Sequence, residues 1–279
     1  MNGGAVLGRS APVAPWREVA RRLPPGLAVH VPRRYERIGD VLLLKLPEIG
    51  GGRERIAAAY ADVLRAKSVV SDRGVRGPWR EPDVEILFGG ETETVHLEDG
   101  VRFRLDVART MFSSGNVAER MRMGRVVRPG ETVVDLFAGI GYFALPMAVH
   151  GRPARVVACE VNPAAFAYLQ ANVRLNRAWS VEPRLGDCRE VAPPNAADRI
   201  VMGLLRGKPY LDVAMRTARD PCVLHYHEAV PVEDVPDGPW SRVEAAAHRA
   251  KRRAELLAVH RIKSYAPRVA HVVLDVALG

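Results

Sequence analysis

The sequence predicts an α/β protein, in which a small N-terminal α+β domain precedes a doubly wound, Rossmann-like sheet with a C-terminal antiparallel pair. Three observations lead to this prediction. After residue 125, strand-like apolar segments alternate with helical patterns, which is typical of a parallel sheet covered by helices on both faces. Before residue 100, the strand-like segments are short and alternate polar with apolar residues, which favours antiparallel pairing. The last two apolar segments, 256–263 and 270–278, are joined by a turn that contains proline.

Composition divides the chain into three parts. Residues 1–28 are rich in Gly, Ala, Pro and Arg and are predicted to be a flexible or short-helical segment. Residues 29–100 form the predicted α+β domain, and residues 101–279 form the predicted domain with the doubly wound sheet. Within the α+β domain, the patterns predict a strand in 35–48 that is closed by proline, a helix over 53–66, and antiparallel strands over 83–89 and 93–106.

In the larger domain, short apolar runs bounded by turn residues predict the parallel strands, and longer periodic segments predict the helices. A helix is expected over 163–176, in the segment PAAFAYLQANVRLN. The strands are expected at 132–137, 154–160, 181–185, 198–205 and 222–227.

Nothing in the sequence predicts a membrane span or a secretory signal. The longest apolar stretch, 133–149, contains Asp135 and three residues that disfavour a spanning helix, namely Gly139, Gly141 and Pro146. No charged and apolar leader opens the chain. The three cysteines have no metal-ligand spacing and are odd in number, so they are expected to be reduced and buried. We therefore expect a cytoplasmic protein without a metal site.

The net charge of +9 and the isoelectric point near 9.9 suit a polyanionic partner such as tRNA. Only five of the basic residues are lysines, and such an arginine bias also arises from genome composition. Charge alone therefore leaves nucleic-acid binding open.

The segment DLFAGIG, residues 135–141, gives the first indication of a ligand site. It follows the first predicted parallel strand, and the loop after that strand usually forms the floor of the ligand cleft in a doubly wound sheet. Gly139 and Gly141 would let a ligand lie against the backbone, beside the N–H donors of the following helix. These features favour a flat, adenosine-like ligand.

Acidic residues close three successive predicted strands, namely Asp135, Glu160 and Asp187. Glu160 is placed to accept the ribose hydroxyls and Asp187 to accept from an adenine amino group. The G-x-G pattern lacks the third glycine of a dinucleotide fingerprint, so the trio favours S-adenosylmethionine over a nicotinamide. Neighbouring residues predicted to line the same pocket are Phe137, Ala138, Val161, Cys188, Met202 and Gly203.

Structural alternatives exist for these residues. Gly139 and Gly141 would also suit a tight turn without any ligand. Asp187 would also suit the cap of a short helix. The three acidic strand ends taken together are harder to explain by structure alone.

Several separated motifs resemble the wybutosine-type tRNA 3-amino-3-carboxypropyltransferases, over roughly residues 30–279. This resemblance implies a class I methyltransferase-like fold, S-adenosylmethionine as donor substrate, and a modified guanosine at tRNA position 37 as acceptor. The motifs that carry it are RYERIGDVLLLKLPEI (34–49), RFRLDVARTMFSSGNVAERMRM (102–123), VVDLFAGIGYFALPMA (133–148), EVNPAAFAYLQANVRLN (160–176), ADRIVMGLL (197–205), VLHYHE (223–228) and RIKSYAPRVAHVVLDV (261–276).

The related tRNA guanosine-37 N1-methyltransferases share both domains and carry an Asn-Pro-Pro type motif after the fourth strand. This chain has Met202, Gly203 and Leu204 there, as the aminocarboxypropyl branch does. Every carbon on a sulfonium is electrophilic, so the product depends on which carbon faces the nucleophile. Aminocarboxypropyl transfer with release of methylthioadenosine is therefore expected, with methyl transfer as the alternative.

The methionine arm needs anchors for its carboxylate and amine. Candidates are Ser113, Ser114, Gly115 and Asn116, with Arg120 supplying positive charge. The same SSGN segment would also suit the cap of a helix that begins near Val117. The two interpretations are compatible.

The segment HYHE supplies candidate catalytic residues. His225 and His227 are predicted on one face of a strand end, with Glu228 just beyond, as a general base or acceptor-positioning group. A hydrogen-bonded structural role is an equal alternative for either histidine. The segment KSYAP, 263–267, is predicted to be a hairpin turn or to border the acceptor pocket.

The acceptor is open at this stage. The family resemblance implies tRNA, positioned with the help of arginines of the N-terminal domain, although these would equally form a solvated basic face. The same chemistry could serve a small-molecule acceptor, or the amine of S-adenosylmethionine itself could attack and form azetidine-2-carboxylate. The arginines are Arg33, Arg34, Arg37, Arg73, Arg76 and Arg80.

Overall fold

The computed structural model describes residues 14–77 and 81–279. Two compact units make up the chain: residues up to 94 with 106–108, and residues 95–105 with 109–279. Residues 1–13 of the predicted N-terminal segment, and Arg80, lie outside the described residues. Within the described part of the chain, no helix has the length and hydropathy needed to cross a membrane.

The first unit contains a four-stranded sheet in the order β1-β2-β3-β4. β2 and β3 are parallel because α3 crosses between them, whereas β1/β2 and β3/β4 are antiparallel. Ile56 and Tyr60 of α3 are fully buried against this sheet. The elements are α1 (Pro15–Arg21), α2 (Pro25–Ala28), β1 (Glu36–Ile38), β2 (Val41–Leu44), α3 (Arg53–Leu64), β3 (Ser68–Arg76) and β4 (Glu81–Phe88).

Two details of this unit differ from the sequence prediction. The single strand expected in 35–48 is a hairpin, because Gly39 adopts a φ of +58° and turns the chain between β1 and β2. β3 was missed: its polar second half, SDRGVR, does not show the continuous apolar run of a strand paired on both sides. The predicted strand 83–89 and helix 53–66 are present as β4 and α3.

The second unit contains the larger sheet and its covering helices. Its elements are β5 (Glu93–Glu98), β6 (Val101–Asp106), α4 (Val117–Val126), β7 (Thr132–Asp135), α5 (Ala144–Pro146), β8 (Arg155–Glu160), α6 (Pro163–Leu175), β9 (Val181–Leu185), α7 (Cys188–Val191), β10 (Ala197–Met202), α8 (Leu211–Thr217), β11 (Ala218–Pro231), α9 (Asp237–Arg249), β12 (Ala254–Ala266) and β13 (Val269–Leu278). β5 and β6 form a separate two-stranded sheet, and the predicted domain boundary at residue 100 falls in the turn that joins them.

The seven-stranded sheet has the order β12-β13-β11-β10-β7-β8-β9. The five strands from β11 to β9 are parallel, and β13 pairs antiparallel with both β11 and β12. The predicted doubly wound sheet with a terminal antiparallel pair is confirmed. Strand order reverses between β7 and β10, where the carboxyl ends of the strands open a crevice.

Apolar side chains fill both faces of the parallel strands. Val133 and Val134 of β7 and Val156 and Val157 of β8 are fully buried, as expected for strands covered by helices on both sides. The cysteines are buried free thiols, as predicted, and burial raises the pKa of each to about 12. They are therefore packing residues: Cys159, Cys188 and Cys222.

Candidate functional site

Register brings the acidic strand ends to one edge of the sheet. Asp135, the last residue of β7, lies beside Ala158 of β8 and Val201 of β10. Glu160, the last residue of β8, lies beside Leu185 at the end of β9. The carboxyl ends of four neighbouring parallel strands therefore border one crevice.

Glycines shape the loop that follows β7. Gly139 has a φ of +57° and Gly141 a φ of +102°, a region that favours glycine. A Cβ atom on Gly139 would lie 2.5 Å from Cε2 of Tyr142, and one on Gly141 would lie 2.7 Å from Leu145. Both the turn and the close approach of neighbouring groups therefore require glycine at these positions.

Glu160 joins this glycine loop to the end of β8. Its Oε2 accepts a hydrogen bond from the Gly139 backbone N–H at 2.7 Å, and its Oε1 accepts one from the Asn162 N–H at 2.7 Å. Burial raises the pKa of Glu160, and these N–H donors oppose that shift. Each carboxylate oxygen has a second lone pair, so the side chain retains capacity to accept hydroxyl donors.

Asp135 is fully buried. Its Oδ1 accepts from the Phe137 N–H at 3.2 Å, whereas its Oδ2 has no hydrogen-bond partner among the residues that the structure describes. Burial raises the pKa of Asp135 to about 7. An unpaired buried carboxyl oxygen beside a glycine turn is the feature that a polar ligand or an ordered water would satisfy.

Asp187 acts as the cap of α7 in this structure. Its Oδ1 accepts from the Arg189 backbone N–H at 2.8 Å, and the Arg189 guanidinium binds both carboxylate oxygens at 2.9 Å and 2.5 Å. These bonds lower the pKa of Asp187. Cys188 begins the capped helix and is buried. The predicted adenine contact stays a prediction.

Apolar residues predicted to line the pocket lie at the same edge. Val161, directly after Glu160, is 43% exposed. Phe137 packs edge-on against Tyr210, with ring centroids 5.0 Å apart. Ala138 is buried, and its backbone N–H donates to the carbonyl of Cys159 at 2.9 Å.

The end of β10 is apolar. Met202 is fully buried, and a Cβ atom on Gly203 would lie 2.8 Å from Cε2 of Phe143. The Phe143 ring therefore lies against Gly203, and the two residues at this strand end offer no polar side chain.

The SSGN segment forms a 3₁₀ turn over Ser114–Asn116, and α4 begins at Val117 as predicted. Neither Ser113 nor Asn116 makes a side-chain cap hydrogen bond at these helix starts. Ser113 Oγ instead accepts from Nζ of Lys263 at 2.7 Å. The capping interpretation of these two side chains is therefore not what the structure shows.

Arg120 is 2% exposed and bound by its own chain. Its Nε and Nη2 each donate to the Glu98 carboxylate at 2.6 Å, and its Nη1 donates to the Ser113 carbonyl at 3.0 Å. The Arg120 contacts lower the pKa of Glu98 to about 2 against the effect of burial. The guanidinium therefore stabilises the loop that carries Ser113.

Tyr142 connects the two residues before the SSGN segment, Met111 and Phe112, to the glycine loop. Its hydroxyl donates to the carbonyl of Met111, and its ring lies 5.7 Å from that of Phe112. The same ring contacts the position of Gly139 described above. The chain just before SSGN and the glycine loop therefore lie in contact.

The histidines of the HYHE segment lie inside the sheet. The sequence placed them at a strand end, but β11 continues to Pro231, so both are in its interior. His225 is 1% exposed; its Nδ1 bonds Asp275 at 2.6 Å and its Nε2 bonds Arg199 at 2.7 Å. Since arginine only donates, Nε2 is the acceptor and Nδ1–H the donor. Burial lowers the pKa of His225.

His227 is also buried and contacts a second histidine. Its Nδ1 lies 3.1 Å from Nε2 of His271, and its Nε2 lies 3.8 Å from the carboxylate of Glu119. Burial lowers its pKa well below the usual value. Glu228 lies on the opposite face of the strand and accepts from Arg242 at 3.3 Å. The catalytic roles of these residues stay predictions.

Sequence reasoning missed several residues of this region. Asp275 accepts from His225, Arg122 and His260, and His271 pairs with His227. The alternation in VAHVVLDV places His271 and Asp275 on one face of β13, which was the available signal. No group of three or more His, Cys, Asp or Glu side chains within 14–77 and 81–279 is arranged to hold a metal ion.

The arginines of the first unit are largely engaged in local contacts. Arg37 donates to the carbonyls of Gly39 and Leu64. Arg73 and Arg76 form ion pairs with acidic residues of β4, at 2.5 Å and 2.7 Å. Arg33 lies over the ring of Trp16 at 5.0 Å. Acidic side chains thus pair with Arg73 and Arg76, whereas the contacts of Arg33 and Arg37 do not neutralise their charge.

The sheet order, the glycine turn and the acidic end of β8 define an enzyme of the S-adenosylmethionine-dependent transferase class. Asp135 with its unpaired oxygen, the glycines at positive φ and Glu160 stay the residues predicted to hold the adenosyl group of this donor.

Comparison with known proteins gives the family. A family model for the TRM5/TYW2 methyltransferase domain matches residues 94–257, and one for the TYW2 N-terminal domain matches residues 17–92. The chain is 43% identical over 266 residues to the tRNA(Phe) (4-demethylwyosine(37)-C(7)) aminocarboxypropyltransferase of Pyrococcus horikoshii, covering 93% of this chain and 94% of that one. This chain belongs to the TYW2 family of aminocarboxypropyltransferases.

Two further relatives are similar to most of this chain, one from each of the two related groups of enzymes. The crystal structure of P. horikoshii TYW2 in complex with MeSAdo is similar with a TM-score of 0.85 and 40% identity, covering 94% of this chain and 97% of that chain. The tRNA (guanine(37)-N(1))-methyltransferase Trm5b of Pyrococcus abyssi is 34% identical over 266 residues, covering 93% of this chain and 79% of Trm5b.

Proposed function

We propose that this protein transfers the 3-amino-3-carboxypropyl group of S-adenosylmethionine to a modified guanosine at position 37 of tRNA. The similarity to the P. horikoshii aminocarboxypropyltransferase extends over 93% of this chain and through both units. When bound, the donor supplies a sulfonium whose Cγ–S bond breaks as the acceptor attacks Cγ, so that methylthioadenosine leaves.

The observation that carries the proposal is the apolar end of β10. Gly203 lies against the buried ring of Phe143, where a Cβ atom would approach to 2.8 Å. A methyltransferase of the related branch needs polar groups there to orient its target base, and Met202 and Gly203 offer no polar side chain. The site therefore suits an acceptor that is held by other contacts.

The chain's own residues have distinct proposed tasks. Glu160 and the backbone at Gly139 hold the ribose, since the Glu160 carboxylate is fixed by two backbone N–H donors and keeps lone pairs for hydroxyls. Asp135 Oδ2 accepts from the donor or from an ordered water. Tyr142 fixes the SSGN loop beside the glycine turn.

The catalytic assignment of the histidines remains a proposal. His227 has one ring nitrogen bonded to His271 and the other 3.8 Å from Glu119. Burial lowers the pKa of His227 and keeps its imidazole neutral, so a ring nitrogen carries a lone pair for a proton, but the same shift makes the ring a weaker base. His225 is bound on both nitrogens and positions the neighbouring strands.

To test this, the purified protein is incubated with S-adenosylmethionine and tRNA that carries the modified guanosine. The tRNA is then digested, and the masses of the nucleosides are measured by mass spectrometry. The proposal predicts that the nucleoside at position 37 gains one aminocarboxypropyl group. A gain of one methyl group on unmodified tRNA would support the methyltransferase alternative. The similarity to the methyltransferase Trm5b is the reason for testing that alternative.

The same experiment without tRNA tests two other acceptors. Azetidine-2-carboxylate formed from S-adenosylmethionine alone would indicate intramolecular attack, and a product formed only with a small phenol or amine would indicate a small-molecule acceptor. We also infer a cytoplasmic location, because tRNA carries the proposed acceptor.

A further inference from the structure

The edge of the seven-stranded sheet opposite the crevice brings three chain segments together. They are 128–131 before β7, 152–155 before β8 and 177–180 before β9. The Ala154 N–H donates to the Glu131 carbonyl at 3.0 Å, and the Val156 N–H donates to the Ser180 carbonyl at 2.8 Å. Because neighbouring strands lie about 5 Å apart, the exposed side chains of these segments share one surface, which is called the amino edge.

Trp179 is an exposed aromatic residue of the amino edge. It lies in the turn between α6 and β9 and is 70% exposed. No ring or guanidinium group of the residues that the structure describes packs on its indole. Covering an indole ring is favourable in water, so its open face is suited to a flat partner.

Arginines lie on the segments around Trp179. Arg152 precedes β8, and Arg174 and Arg177 lie at the end of α6 and in the turn that follows. All three are exposed, and their side chains form no hydrogen bond or ion pair within the described part of the chain. Each guanidinium group therefore keeps its five N–H donors for a ligand.

The starts of three neighbouring strands also carry acidic residues, and each of these is paired with an arginine of its own. The pairs are Glu131–Arg199 at 2.8 Å before β7, Glu182–Arg184 at 2.8 Å in β9 and Asp198–Arg219 at 2.6 Å in β10. These carboxylates are therefore not available to neutralise Arg152, Arg174 and Arg177. The amino edge is thus positively charged and suited to a polyanion.

Two kinds of group therefore meet on one surface. Guanidinium groups match the geometry of phosphate, and an exposed aromatic ring stacks on any base, because every base has a π face. RNA is favoured among polyanions because the similar aminocarboxypropyltransferase of P. horikoshii is named for tRNA(Phe).

We propose that the amino edge is a second RNA-binding surface, at which the three arginines contact phosphates and Trp179 stacks on an unpaired base. This inference rests on the proposed function, because the RNA is taken to be the tRNA substrate. β7 and β8 have four and six residues and span about 13 to 20 Å. A tRNA that reaches around the sheet is therefore held at both edges.

The arginines are tested by measuring the affinity of labelled tRNA at several salt concentrations. The double variant Arg152→Gln/Arg177→Gln is expected to bind tRNA more weakly. The slope of log affinity against log salt should fall by about two, which is one for each phosphate contact removed. Lys251→Gln is the control, because Lys251 is an exposed cation beside β12, at the other end of the same sheet. It should leave the affinity and the slope unchanged.

The stacking contact is tested at Trp179. Trp179→Ala is expected to weaken tRNA binding about five- to a hundredfold, the range for loss of one stacked base, with the salt slope unchanged. Trp179→Phe keeps an aromatic ring and should restore most of the affinity. The affinity for S-adenosylmethionine should be unchanged in every variant, which shows that each is folded.

Unchanged tRNA affinity and salt slope in the double variant and in Trp179→Ala would overturn the proposal. An equal loss in Lys251→Gln would also overturn it, because it would show a general effect of charge. Loss of binding to phosphatidylserine vesicles with unchanged tRNA affinity would assign the surface to a membrane instead. A protein that binds tRNA through the amino edge but forms no aminocarboxypropyl nucleoside would contradict the proposed function alone.

Discussion

Glu160 accepts a hydrogen bond from the backbone N–H of Gly139 at 2.7 Å. The acidic end of β8 and the glycine turn after β7 are thereby one structural feature, although 21 residues separate them. A ligand that binds the Glu160 carboxylate would therefore also lie beside the turn at Gly139.

Replacing Glu160 tests this relationship. Glu160→Gln removes the charge that binds the Gly139 N–H and that is proposed to bind the ribose hydroxyls. It is expected to weaken the binding of both S-adenosylmethionine and methylthioadenosine by about 1 to 3 kcal/mol, the range for hydrogen bonds to charged groups. Calorimetry measures the binding free energy of each ligand. Glu244→Gln, at an exposed site on α9, is the matched control, and unchanged binding in Glu160→Gln would contradict the ribose assignment.

Gly139 is predicted to tolerate no side chain. In Gly139→Ala, the new Cβ meets the Tyr142 ring at 2.5 Å and the backbone keeps a φ of +57°. Gly130→Ala is the control, because Gly130 has a φ of +87° with no atom within 4 Å of the added Cβ. Gly130→Ala should lose about 1 to 2 kcal/mol of stability from backbone strain alone. Gly139→Ala should lose more stability than this and should also bind S-adenosylmethionine more weakly. If thermal unfolding showed equal losses of stability in the two variants, and the affinity of Gly139→Ala were unchanged, the contact with Tyr142 would be unimportant.

Arg120 is predicted to stabilise the fold. Arg120→Met removes the arginine partner of the buried Glu98 carboxylate, so the free energy of unfolding should fall by about 3 to 5 kcal/mol, as when one member of a buried pair is removed. Arg21→Met, which breaks an exposed pair with Glu18 at 3.6 Å, should change it by less than about 1 kcal/mol. Denaturant titration compares the two. A loss for Arg120→Met no larger than for Arg21→Met would contradict a structural role.

The buried carboxyl of Asp135 predicts a pH dependence of stability. Burial raises its pKa from 3.8 to about 7, so between these values the folded protein binds more protons at this site than the unfolded chain does. Stability from this group is therefore highest at low pH and falls as pH rises toward 7. Relative to Asp135→Asn, the unfolding free energy of the unaltered protein should decline across that range. A difference that does not change with pH would show that folding does not raise the pKa of this carboxyl.

The strand pattern explains why the larger sheet could be predicted. β7, β8 and β10 are short apolar runs that end in turn residues or acidic residues, and their burial on both faces leaves that pattern in the sequence. β3 has no such pattern in its polar half, and the turn at Gly39 divides what the composition presents as one strand.

The site was predictable only in its local parts. Gly139 lies in the loop after β7 and Glu160 is the last residue of β8, so the sequence shows where they lie. Asp187 caps α7, which is the structural alternative that the sequence offered for it. The partners of His225 and Arg120 depend on side-chain directions and on contacts between distant segments, which periodicity does not encode: His225 binds Asp275 of β13, and Arg120 binds Glu98 of β5.

The by-product formed with tRNA tests the central claim most directly. The account predicts that, when modified tRNA is added, S-adenosylmethionine is consumed with formation of an equal amount of methylthioadenosine. Formation of S-adenosylhomocysteine instead would show that the methyl carbon faces the acceptor and would contradict the assignment of aminocarboxypropyl transfer.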